Sequence, residues 1–114
     1  ICRAARDIAH QIGARAIIVE SATGKVARAM VHFRPDVPII AVVTSSLVCK
    51  KLCLNWGITA LIGEEKKTSD AITKQAMEKA LSTGYFKKGD IVVVISSNRT
   101  APTSSTDSLN VRIL

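Results

Sequence analysis

The sequence predicts an α/β sandwich around a mostly parallel sheet, and three observations lead there. Apolar runs at residues 16–19, Ile39–Val43, Ile58–Ile62 and 91–95 are too short and too rich in β-branched residues to be preferred as helices. Their near-continuous apolarity suits strands covered on both faces. Between these runs, apolar residues recur at helical spacing. Aromatic residues make up 4% of 114 residues that are 47% hydrophobic, so the core has to be built from Ile, Val, Leu and Ala. At this length one domain, residues 1–114, is expected. Alternation of helices with buried strands gives right-handed crossovers and a three-layer α/β/α sandwich. Its sheet has five strands, mostly parallel, with the last strand antiparallel.

The elements follow in order. Ile1, Ala5, Ile8, Ala9 and Ile12 share one helical face, opposite Arg3, Arg6, Asp7 and His10, and Gly13 suits the C-terminal cap. This helix opens without a cap or leader, which suggests a chain cut from a longer protein. Strand 16–19 is broken by Ser21, Ala22, Thr23 and Gly24. A helix over 26–34 turns Ala27, Met30 and Val31 inward and Arg28 and Arg34 outward, and Pro35 ends it. Asp36 and Pro38 lead into the second strand, after which Thr44 and Ser45 offer N-cap oxygens to a helix over 47–54. Gly57 and Gly63 bracket the third strand, and 64–69 reads as a charged loop. Ile72, Ala76, Met77, Ala80 and Leu81 set a helix running from Asp70 to Gly84. Asp90 introduces 91–95, the strongest strand signal in the chain. Residues 96–108 read as a long polar loop, and 109–114 as a short final strand.

A formal charge of +7 makes the chain anion-seeking. The pairs Lys50-Lys51, Lys66-Lys67 and Lys87-Lys88 are dispersed at the ends of elements, and Trp56 and Phe33 stand apart from them. A nucleic-acid surface would interleave aromatics with the basic residues, so a solvated surface is the better reading. Cys2, Cys49 and Cys53 are too few and too irregular for a disulfide framework. Cys49 and Cys53 would share a helix face, but neither His10 nor His32 falls at a metal-ligand spacing from them. Buried, reduced thiols and a reducing, cytoplasmic home are therefore expected, with no leader and no apolar run long enough for a bilayer.

The stretch richest in chemistry is 15–36: strand, polar turn, helix. Backbone N–H groups and the helix dipole converge where such a turn opens a helix, and phosphate is their usual occupant. Lys25 adds a point charge there. A triphosphate loop fails, because aligning Gly24-Lys25 to it puts Val19 where glycine belongs and Val26 where the magnesium-binding hydroxyl belongs. No GxGxxG occurs, and no nucleophile with a base can be assembled by spacing. A phosphate cradle without hydrolytic machinery survives, beside the blander reading of an ordinary strand-helix turn. Ligands of such sheets sit beyond the carboxyl ends of the strands, so Thr44-Ser45, Gly63-Glu64 and the loop from Ser96 could share one pocket with the turn.

Across nearly its whole length the chain resembles the C-terminal domain of pyruvate kinase. The resemblance runs through 16–19, Thr23-Gly24 with Ala27-Arg28, and Arg34-Pro35-Asp36-Val37-Pro38-Ile39-Ile40-Ala41-Val42. It continues in order through Leu52, Leu54, Gly57-Ile58, residues 87–94 and Val111-Arg112-Ile113. It implies a regulatory, non-catalytic domain that takes part in a tetramer interface. Phosphoryl transfer from phosphoenolpyruvate to ADP, with magnesium and potassium, would belong to a barrel outside these residues. It also implies an effector sugar phosphate, commonly fructose 1,6-bisphosphate, held by Ser21, Thr23, Gly24 and Lys25 with the amides of Ala22 and Val26; Arg99 is a further candidate partner. Val26 replaces a further hydroxyl found in effector-responsive members, Ala22 replaces a lysine of some animal forms, and 64–67 lacks a tryptophan, so the effector's identity stays open. The alternatives are a stand-alone basic module binding anions or nucleic acid, and a small independent enzyme.

Overall fold

The computed structural model of the chain describes residues 1–21, 24–55, 57–64, 69–97 and 106–114. Element order is α1 (Cys2–Ile12), β1 (Ala16–Glu20), α2 (Lys25–His32), β2 (Ile39–Val43), α3 (Ser46–Leu52), β3 (Ile58–Ile62), α4 (Ser69–Ser82), β4 (Ile91–Ser97) and β5 (Thr106–Ile113). The five strands form one sheet in the order β3-β2-β1-β4-β5. Ladders β3-β2, β2-β1 and β1-β4 are parallel, and β4-β5 is antiparallel. The expected sandwich is present.

Its layers are unequal. Alternation along the strands sends Ile17, Val19, Ile39, Ala41, Val43, Val93 and Ile95 to one face, where they pack with Cys2, Ala5 and Ala9 of α1, Ala27 and Met30 of α2, and Leu52 of α3. Ile18, Ile40, Val42, Val92 and Val94 take the opposite face, covered by Ala76 and Ala80 of α4 with Phe86. Right-handed crossovers explain the split, because the chain steps outward from β1 to β3 and then jumps back across β1 to β4, which reverses the side on which the connecting helix lies.

Several boundaries differ from the sequence reading. The second helix stops at His32 rather than Arg34, and Arg34 adopts φ 45. Crowding by the Pro35 ring disfavours the helical conformation at Arg34, so the helix does not run through that residue. Ser45, not Thr44, caps α3, its Oγ accepting the Val48 N–H at 3.4 Å. That helix ends at Leu52, leaving Leu54 89% exposed. The polar loop proposed for 96–108 is shorter, because Ser96 pairs with Ser108 and Ser97 with Thr106 across an irregular step in the hairpin.

The thiols also divide. Cys2 is buried, Cys49 half-buried and Cys53 exposed, so uniform burial does not hold. Cys53 occupies the C-cap of α3, just past the packed turn. Phe33, which stands apart from the lysine pairs in the sequence, lies beneath the guanidinium of another basic residue, Arg6, at 5.6 Å from its ring centroid. Arg6 also pairs with Asp7 at 3.0 Å, so this aromatic contact fastens α1 to the end of α2. Trp56 and Lys66-Lys67 lie outside the described residues.

Candidate functional site

Strand order reverses between β1 and β4, and the carboxyl end of β1 lies at that reversal. In open α/β sheets this is where ligands settle. Three features shape the described part of the site. Ser21 is buried and its N–H donates to the Val42 carbonyl at 3.2 Å, which prolongs the ladder one residue past the strand. Its Oγ accepts the Gly24 N–H at 2.9 Å and so closes the turn. Gly24, at φ 78, is the N-cap of α2.

Only glycine fits that position without strain. A Cβ on Gly24 would stand 3.1 Å from Leu52 Cδ2 and Val48 Cγ1 of α3, in addition to the cost of positive φ. The third helix therefore props the turn from behind. From Lys25 onward α2 presents its leading N–H groups to the same end, and glycine offers no side chain to cap them.

The sequence-derived residues are distributed as follows. Ser21, Gly24, Lys25 and Val26 are brought together at the β1–α2 junction, with Lys25 exposed and Val26 half-buried. Ser21 has its oxygen engaged within the turn, which leaves the hydroxyl hydrogen as the group it can offer. Ala22, Thr23 and Arg99 lie outside the described residues. On the other flank, Ser96 is buried at the end of β4, where the hairpin register shifts between Ser96 and Ser97. Irregular pairing of this kind re-aims side chains and is frequent beside functional sites.

Two residues escaped the sequence reading. Glu20 is 4% exposed, a carboxyl group at the end of β1 on the α4 side of the sheet. The sequence reading closes the strand at residue 19, one short of it. Gln75 of α4 holds the start of the loop after β3, accepting the Glu64 N–H and donating to the Glu64 carbonyl, both at 2.8 Å. A glutamine on a helix gives no sequence signal of such a clamp.

Elsewhere the surface carries other hollows. One of about 400 Å³ lies at the opposite, amino-terminal end of the sheet, lined by Arg34, Pro35, Val37, Ile39, Ile58 and Thr59 among others. Another, of about 640 Å³, lies between α4 and β5. His10 Nδ1 and Asp36 Oδ2 meet at 3.1 Å on an exposed face, a surface tie between α1 and the loop after α2. Burial raises the Cys2 thiol pKa, and burial together with the neighbouring Cys53 thiol raises that of Cys49. Among the described residues no group of three or more His, Cys, Asp and Glu is placed to hold a metal ion, and no helix is long and apolar enough to cross a membrane.

Residues 1–112 match the family model described as the pyruvate kinase alpha/beta domain. The chain is 36% identical over 113 residues to a pyruvate kinase of Clostridium acetobutylicum, covering 99% of this chain and 23% of that protein. It is 29% identical over 112 residues to one of Geobacillus stearothermophilus, with 96% and 19% covered. Against one of Sporosarcina psychrophila it is 25% identical over 114 residues, with 100% and 20% covered. The chain thus spans about a fifth of the length of these relatives, in their C-terminal part. With the five-stranded sheet, its crossovers and the ordered match over almost every residue, the chain belongs to the pyruvate kinase alpha/beta domain family.

Proposed function

We propose that this chain is the regulatory and assembly domain of a pyruvate kinase and that it binds a phosphorylated effector at the turn 21–26. The observation that carries the reading is the placement of Ser21, Gly24 and Lys25 at the strand-order reversal, where α2 opens. The Ser21 hydroxyl, the leading N–H groups of α2 and the Lys25 ammonium match the oxygens of a phosphate monoester, while the Gly24 N–H is taken up by Ser21 Oγ within the turn. Fructose 1,6-bisphosphate is the first effector to test. Phosphoryl transfer from phosphoenolpyruvate to ADP, with its magnesium and potassium, belongs to the catalytic domain of such an enzyme, in the cytoplasm. An effector bound here changes that activity by favouring one arrangement of domains and sister subunits over another.

The test is an NMR titration of the chain with fructose 1,6-bisphosphate at low and moderate salt, beside Lys25→Ala. Saturable shifts around 21–26 that survive moderate salt and vanish in the variant support the reading. Diffuse shifts erased by salt and shared by unrelated polyanions overturn it in favour of a general anion-binding module.

A further inference from the structure

The geometry points to a two-thiolate site on α3, formed by Cys49 and Cys53, that takes one soft monovalent cation, the cuprous ion being its natural probe. This site is separate from the anion turn and does not depend on the function proposed for it. Cys53 keeps helical geometry at φ −60 and ψ −18, and its N–H reaches the Cys49 carbonyl at 3.1 Å. The two residues therefore stand one turn apart on the same face of the helix.

Spacing decides what can join them. Side chains four apart on a helix hold their Cβ atoms about 5–6 Å from each other. A disulfide needs about 3.5–4.5 Å, so oxidation would have to distort the end of the helix. One ion between two thiolates, with metal–sulfur bonds of about 2.3 Å, sets the sulfurs roughly 4.6 Å apart, which suits the existing turn.

The donor count narrows the ion. No third His, Cys, Asp or Glu joins the pair among the described residues, so a tetrahedral zinc site is not assembled. Thiolates prefer soft ions, and the cuprous ion is satisfied by two of them in line. On binding, each thiol releases its proton to the buffer, two S–Cu bonds form and no electron is transferred. The resulting unit carries one negative charge, and Lys50 and Lys51 in the same turn offset it. Cys49 is half-buried against the core and anchors one end, while exposed Cys53 gives the ion its entry.

The experiment is an anaerobic competition titration of the reduced protein with cuprous ion held by bicinchoninate, read from the colour of the chelate. Wild type and Cys2→Ala should each withdraw one equivalent per chain, whereas Cys49→Ser and Cys53→Ser withdraw none at the same chelator concentration. Cys53 is exposed, so Cys53→Ser should leave the fold intact, and circular dichroism checks this. Equal uptake by wild type and Cys53→Ser, no uptake by wild type, or half an equivalent per chain would each overturn the proposal.

Discussion

The side-chain amide of Gln75 forms a two-bond clamp on the backbone of Glu64, with both contacts at 2.8 Å. It docks the carboxyl end of β3 onto α4 much as a neighbouring strand would. Gly63 lies against the same side chain, where an added Cβ would stand 2.9 Å from Gln75 Nε2 and from Val42 Cγ1. Gln75→Ala is expected to lower stability by about 1–2 kcal/mol, the cost of two exposed but well-aligned bonds. Urea denaturation reads it, and Gln75→Glu, which keeps the acceptor and loses the donor, should fall between the variant and wild type.

Gly24 is constrained twice, by its conformation and by α3. Gly24→Ala should cost about 1–3 kcal/mol, since neither the left-handed backbone nor the approach to Leu52 and Val48 leaves room for a methyl group. A thermal melt of the variant measures the loss. Gly89, also at positive φ but with nothing within 4 Å of its added Cβ, is the control that pays for conformation alone.

Lys25 is the charge of the proposed anion turn. For an exposed ammonium contributing one charge-assisted bond, Lys25→Ala should raise the Kd of a phosphorylated effector roughly tenfold, or about 1.4 kcal/mol. Calorimetry at two salt concentrations checks this, and the variant should also show the shallower salt dependence.

Ser45 caps α3 through its contact with Val48, and Val48 in turn props Gly24. Ser45→Ala is expected to lower stability by about 1 kcal/mol. Because α3 backs the turn, effector affinity should fall with it, although residue 45 is not one of the residues assigned to the effector.

The thiols predict an alkaline limb. The folded-state pKa values of Cys2 and Cys49 lie above the ordinary value of 9.0. Below that value both folded and unfolded chains keep these protons, so the two groups contribute no slope. As pH rises past it, the unfolded chain loses protons that the folded chain retains, and stability falls until the folded groups also ionise. Melting temperatures between pH 7 and pH 10.5 should show the decline, and Cys2→Ala combined with Cys49→Ala should flatten it.

The interior strand β2 was legible because burial on both faces leaves nothing but apolar residues to read, and it falls at Ile39–Val43 as expected; β3, a half-buried edge strand that admits Thr59, was still marked by its short apolar run and falls at Ile58–Ile62. The hairpin was harder. An antiparallel edge needs no continuous apolar run, so Ser96, Ser97 and Thr106 joined the ladder through backbone pairing that their side chains do not advertise. The end of α2 was misplaced because the effect of Pro35 reaches Arg34 itself. At the candidate site, Ser21, Gly24 and Lys25 could be read from one local stretch. The Gln75 clamp and the buried Glu20 could not, since each depends on what the fold places beside it.

The position of β1 has a kinetic consequence. The first strand of the chain lies between two partners that come later, and its ladder to β4 joins Ala16 to Val92. Local contacts therefore cannot complete the centre of the sheet. The hairpin of β4 and β5 can form by itself, but β1 keeps one edge open until β4 docks, and that long loop closure should dominate the folding barrier. During synthesis the earliest strand is thus the one that must wait longest for its second neighbour.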